Sequence, residues 1–137
     1  MKRIFLIVSF AVLPFILSGC IPTTGGGDKT GSQEYMKGAV VSSFPPLPLY
    51  PKSKIVESYN FNNNYGASFI STDKLDKVVS FYSDSLGKLG WDHNLYKQSE
   101  TNYVYEVKNE EYKGSVIINT AGDGKSTALT FSLKPKG

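Results

Sequence analysis

The chain is poor in the residues that most often carry chemistry: in 137 residues it has one cysteine, Cys20, one histidine, His93, one tryptophan and two methionines. A lone cysteine forms no intrachain disulfide, so a domain exported to an oxidising compartment must be held by packing alone. One histidine excludes multi-histidine metal sites. Charge of one sign is also scarce. The formal net charge is +3 and the densest basic run is the loose "PKSK" at 51–54, which lacks the electrostatic footprint of nucleic-acid binding. No apolar run reaches the roughly 20 residues needed to span a bilayer, and no internal repeat is present. With 40% hydrophobic and 13% aromatic residues, the chain still has the apolar material for one folded domain.

What is present starts with a leader. Lys2 and Arg3 precede a short, almost purely apolar stretch, Ile4 to Leu17, interrupted by Pro14. A basic start and a run of this length predict an export signal over residues 1–19, not a permanent span. Leu17-Ser18-Gly19-Cys20 resembles the lipobox of bacterial lipoproteins, in which small residues before the cysteine admit the signal peptidase. That resemblance implies cleavage before Cys20, a diacylglycerol on its thiol and an acylated amine, so that two or three chains hold the protein stably to a membrane. It also implies a cell-envelope location, with the domain facing the periplasm or the exterior. Ile21 after the cysteine, in place of the aspartate that often retains such proteins at an inner membrane, points to outer-membrane sorting in a cell with two membranes. Without Lys2 and Arg3, thirteen basic residues face twelve acidic ones, and the mature chain is nearly neutral.

Residues 20–45 read as the lipid-attachment cysteine followed by a tether, because "PTTGGGDKTGSQE" has no periodicity and few apolar residues. "FPPLPLYP", Phe44 to Pro51, has four prolines that favour extended geometry, and a stiff strap laid against the domain accounts for it better than an SH3-type ligand does. Residues 46–137 form the domain. "IVESYNF" and "YGASFIS" alternate on either side of "NNN" and predict a hairpin. Leu75, Val78, Val79, Tyr82, Leu86 and Leu89 make one stripe of a helix, with Ser71 or Thr72 as its cap and Gly90 as its left-handed stop. "WDHNLYK", "YVYEVK", "YKGSVIIN" and "TALTFSLK" read as four further strands separated by turn residues. The expected fold is α+β: a ββαββββ curved antiparallel sheet with one amphipathic helix packed across it.

Phe69 to Trp91, with "YPKS" at Tyr50 to Ser53, resembles small exported bacterial domains that share a YP-x-[AS] strap, a strand running into a phenylalanine- and aspartate-containing turn, a helix with FY-x-x-x-L, and a closing GW. Lys52 stands where those domains commonly have glycine. The resemblance implies a structural motif and no catalytic residues. A looser likeness, in architecture alone, is to helix-grip domains of outer-membrane assembly lipoproteins.

The residues that could serve catalysis or hold a cofactor have ordinary structural roles. His93 lies in a predicted strand next to Asp92, but strand neighbours point to opposite faces and no G-x-S-x-G elbow is present. "NTAGDGKS", Asn119 to Ser126, ends like a phosphate loop, yet lacks its first glycine and leads into a strand, so a hairpin turn is expected. Glu110 with Glu111, and Asp73 with Asp76, are explained by a turn and a helix start. No cofactor, metal or catalytic residue is expected. Tyr96, Tyr103, Tyr105 and Tyr112 fall in neighbouring strands and form a candidate binding surface, tyrosine giving contact area with a polar tip; paving of the core and sheet edges is the competing explanation. The expected function is a non-catalytic, membrane-anchored lipoprotein that binds another envelope component, most simply a protein, through its sheet face or edge. The alternative is a small-ligand module with a pocket between helix and sheet, lined by Tyr82, Trp91 and His93.

Overall fold

The computed structural model describes residues 33–137. The leader, Leu17, Ser18, Gly19, Cys20 and the first part of the tether lie outside the described residues. Seven strands, β1 (Glu34–Lys37), β2 (Ser53–Phe61), β3 (Asn64–Ser71), β4 (Asp92–Ser99), β5 (Asn102–Lys108), β6 (Tyr112–Thr120) and β7 (Thr127–Pro135), build one sheet in the order β1-β2-β3-β7-β6-β5-β4. Every neighbouring pair is antiparallel. A single helix, α1 (Leu75–Ser85), lies between β3 and β4 in sequence. The protein is thus mixed α+β and mostly sheet. It has one strand more than the sequence predicts: Glu34–Lys37, expected in the tether, pairs with Lys37 opposite Glu57 and Glu34 opposite Asn60. Four residues in a polar stretch carry too little periodicity to announce a strand; the free edge of β2 supplies the partner.

Turn chemistry sets the hairpins. Asn62 and Asn63 both adopt positive φ (51° and 61°), the geometry of a tight hairpin turn that asparagine tolerates, and the Asn63 amide donates to Asn60 Oδ1 at 3.1 Å. In the β6–β7 turn, Asp123 accepts from the amides of Lys125 and Ser126 at 2.9 and 2.8 Å and from the Ser126 hydroxyl at 2.6 Å. These bonds, the Ser126 hydroxyl first, hold its carboxyl below the usual aspartate range. "GDGKS" is a self-capped hairpin turn followed by a strand, as expected.

The helix buries Val78, Tyr82 and Leu86 completely. Ser71 and Thr72 do not cap it. Lys74 is the N-cap residue, with no side-chain cap bond, because the Ser71 hydroxyl is used between the Lys52 carbonyl, at 2.9 Å, and the Asp73 amide, at 3.2 Å. After Ser85 the chain tightens into a 3₁₀ turn, Gly87–Leu89, and stops at Gly90 with φ 80°. The tighter turn swings Leu89 off the apolar stripe, leaving it 57% exposed. The helix packs on one face of the sheet, where Phe69, Phe131, Leu129, Val116 and Ile118 meet Val78, Tyr82, Leu86 and Trp91. Tyr82 stands edge-on to Phe131, ring centroids 5.9 Å apart. Among the described residues no helix is long and apolar enough to cross a membrane.

Candidate functional site

Residues 44–51 form a strap that leads into β2 at Ser53, and two staples hold it to the helix face. Trp91, 1% exposed, donates its indole N–H to the Pro46 carbonyl at 3.0 Å. Tyr50 donates its hydroxyl to Asp73 Oδ2 at 2.6 Å and lays its ring against Phe81, centroids 5.2 Å apart. The Asp73 carbonyl accepts from Thr127 Oγ1 at 2.8 Å, so strap, helix start and β7 meet at one residue. Burial first, and the Asp73 carboxylate second, push the Tyr50 hydroxyl up to about 12. The Tyr50 hydrogen bond, helped by Lys52 and Lys77 at 3.8 and 3.9 Å, holds Asp73 below the usual carboxylate range. The "YPKS", "FISTD" and "GW" segments therefore have a physical role in common: they fasten the strap.

The four candidate tyrosines do not form one surface. Tyr105 is fully buried, donates to the Val79 carbonyl at 2.7 Å and lies 2.6 Å from the Ser83 hydroxyl. Burial raises its pKa, against the opposing effect of the Ser83 hydrogen bonds. Tyr103, two residues along β5, is on the same face and pairs with Lys97, whose ammonium sits 5.9 Å from the ring centroid. Tyr112 is half-buried against Tyr65, centroids 5.8 Å apart. Tyr96 pairs with Val104, and so sits on the opposite, uncovered face, 48% exposed, with its hydroxyl 3.3 Å from Glu106 Oε2. The period-2 alternation of strands makes this split unavoidable once Tyr103 and Tyr105 face the helix.

The expected hollow between helix and sheet is filled. Tyr82 is sealed in the core, where burial raises its pKa. An open cleft of about 970 Å³ lies instead at one end of the sheet. Its lining includes Trp91 and His93, without Tyr82, and continues to Lys108, Lys113, Gly114 and Lys134. His93 rests edge-on to Tyr105, centroids 5.9 Å apart, with Nδ1 3.3 Å from its neighbour's carbonyl, that of Trp91. Gly114 is required here: a Cβ would collide with the Ser132 carbonyl oxygen, so only glycine lets β7 approach. Lys108, Lys113 and Lys134 lie directly opposite one another across three strands, and none makes an ion pair with a described residue. Like charges so aligned repel, and the row ends at Asp92, which lies opposite Lys108; with Glu106 also in the lining, the cleft carries three lysines against two carboxylates.

The uncovered face of the sheet has a feature the alternation of "IVESYNF" concealed. On β2 the polar Ser58 and Asn60 point inward and are buried, whereas Tyr59 and Phe61 point outward, 44% and 53% exposed. The inversion is made by a β-bulge between Ile55 and Glu57, which shifts the alternation by one residue, and the inward polar side chains are satisfied by the incoming chain at 38–44. Ser58 Oγ accepts from the Val41 amide and donates to the Ala39 carbonyl, at 2.8 and 2.9 Å, and Asn60 Nδ2 donates to Ser43 Oγ at 3.0 Å. Buried backbone needs such partners. Tyr59 covers Gly66, whose Cβ position its ring occupies, and Tyr35, 57% exposed, stands opposite Tyr59 and donates to Glu57 at 2.7 Å. Among the described residues no three His, Cys, Asp or Glu side chains come together as a metal site would require. Compared with protein-family models, curated proteins and solved structures, the chain matches none.

Proposed function

We propose that this protein is a lipid-anchored envelope lipoprotein, acylated at Cys20, whose domain is non-catalytic and binds another envelope component, a protein, through the uncovered sheet face. The observation that carries the reading is the contrast of the two faces: helix and strap seal one, while Tyr35, Tyr59, Phe61 and Tyr96 stand 44–57% exposed on the other. Exposed tyrosines flanked by small polar residues supply rigid contact area with satisfiable hydroxyls. The lipobox-like leader supports the anchor, and the strap, sewn down at both ends, gives the face a firm backing. The test is site-specific photo-cross-linking in native envelopes, with the reactive group at Tyr96 or Thr130 on the open face, away from the β1–β2–β3 corner, or at Ser80 on the outside of the helix. A discrete adduct from the face positions alone, lost in Cys20→Ser, is the expected result. Adducts of equal intensity from Ser80, or none from the face, count against it.

A second reading has one observation in its favour. The cleft of about 970 Å³ that holds Trp91, His93 and the three lysines is of ligand size, and its lysines outnumber its two carboxylates, Asp92 and Glu106, which suits a small anion with polar groups of its own. Calorimetric titration with inorganic phosphate and with simple carboxylates distinguishes it from the first reading.

A further inference from the structure

We infer that the β1–β2–β3 corner of the sheet is a membrane-seating surface, which lowers Tyr35, Tyr59 and Phe61 to the lipid–water interface of the bilayer that holds the anchor. The inference rests on the proposed acylation of Cys20. Three observations point to this occupant. The first is where the chain enters: β1 begins at Glu34 opposite Asn60, one residue from Phe61, so the anchored segment joins the domain at this corner. Residues 21–33 span at most about 50 Å when extended, and tethering raises the local concentration of the bilayer at the corner enough for weak contacts to count.

The second observation is the chemistry of the corner. Tyr35, Tyr59 and Phe61 are exposed together, and the hairpin tip beside them, Asn62 to Asn64, is polar without charge. The two nearby acids each accept a hydroxyl hydrogen bond, Glu57 from Tyr35 at 2.7 Å and Glu34 from Ser43 at 3.1 Å, and their remaining charge limits the corner to the wet headgroup layer. Tyrosine and phenylalanine rings with wet edges are the side chains that settle at headgroup depth. The third is the flank. Lys134, one residue past the Tyr65–Leu133 pair, begins the row that continues through Lys113 and Lys108, at the height where lipid phosphates would lie.

The experiment uses the full chain, processed in a bacterial host, purified from its envelopes and reconstituted into vesicles of mixed phosphatidylcholine and phosphatidylglycerol containing a nitroxide-labelled lipid. A fluorophore is attached through Asn64→Cys at the corner or through Lys125→Cys in the β6–β7 turn at the other end of the sheet. The lipid quencher is expected to quench the corner label and spare the distal one. Phe61→Ser should lower the ratio of seated to unseated protein by about tenfold; because Phe61 is largely exposed, this variant keeps its fold, whereas Tyr59→Ser uncovers Gly66. Equal quenching at both positions, or a corner label protected by cross-linking to a second copy or to another protein, overturns the inference. Intact mass is measured on the same sample: a chain without lipid on Cys20 overturns the anchor and the inference with it, while a lipidated chain with an unquenched corner overturns the inference alone.

Discussion

On one side of the sheet Phe69, Phe131, Tyr105 and Ile118 meet the helix and strap and are closed to water, while one residue further along the same strands Thr130, Ser132 and Glu106 face solvent. The backbone is shared, so the difference lies wholly in what each alternate side chain meets. On the covered face aromatic rings interlock, Phe69 with Phe131 at 4.8 Å and Tyr82 with Phe131 at 5.9 Å between centroids, and the Tyr105 hydroxyl is spent on the Val79 carbonyl. On the open face the rings stand alone or lie over glycine. The covered face accounts for stability, and the open one is free to be used by something outside the domain.

Substitutions that probe this contrast have effects that should fall in a definite order. The largest belongs to the covered face: Trp91→Ala removes a buried ring together with the staple to Pro46, and Tyr105→Ala removes a fully buried ring. Each should lower the unfolding free energy by about 3–5 kcal/mol in a urea titration. Tyr105→Phe, which keeps the ring and loses the bonds to Val79 and Ser83, should cost about 1–2 kcal/mol.

The two close-packed glycines sharpen the comparison. Gly114→Ala drives a methyl into the Ser132 carbonyl, which belongs to the backbone and yields little, and should cost about 1–3 kcal/mol. Gly66→Ala meets only the Tyr59 ring, which swings away into solvent, so the same titration should register less than about 1 kcal/mol.

Next comes the pH dependence of the Tyr50–Asp73 staple. Asp73 is held below its ordinary value of 3.8, so its contribution is present above that pH and is lost as pH falls through the lowered value. Tyr50 is raised from 10.0 to about 12; its contribution is present below pH 10.0 and is lost as pH rises toward about 12, where the unfolded phenol is already ionised. Tyr50→Phe should flatten both limbs of a stability profile. Each should flatten only in part, because Asp123 is also held low and Lys52 and Lys77 still act on Asp73 at the acid end, and burial also raises Tyr82, Tyr105 and Tyr112 at the alkaline end. An unchanged acid limb would mean that the hydrogen bond to Asp73 does not form in solution. The smallest effect is on the open face, where Tyr96→Ala should change stability by no more than about 0.5 kcal/mol while removing any adduct that depends on that ring.

Much of the fold was legible locally. The β2–β3 hairpin, the helix, the Gly90 stop and the Asp123 turn follow from neighbours within a few positions, where propensity and capping act. The candidate site was legible only in part. Tyrosine enrichment in adjacent strands was visible, but whether a tyrosine is buried depends on which alternate set the helix covers. On β2 the ordinary rule failed, because hydrophobicity would turn Tyr59 and Phe61 inward. A β-bulge between Ile55 and Glu57 shifts the alternation instead, and Ser58 satisfies the backbone of Ala39 and Val41 while Asn60 meets the Ser43 hydroxyl.

By itself the sequence determined most local conformations, the absence of an intrachain disulfide and the resemblance of Leu17–Cys20 to a lipobox, since each depends on composition or on residues a few places apart. Tertiary structure alone decided that β7 lies between β3 and β6, that β1 extends the edge, that Tyr50 reaches Asp73 across 23 positions and Trp91 reaches Pro46 across 45, and that the four tyrosines part company. Strand partners and strap staples are chosen by the total burial and hydrogen bonding of the assembled sheet, a sum over distant residues that no local window contains.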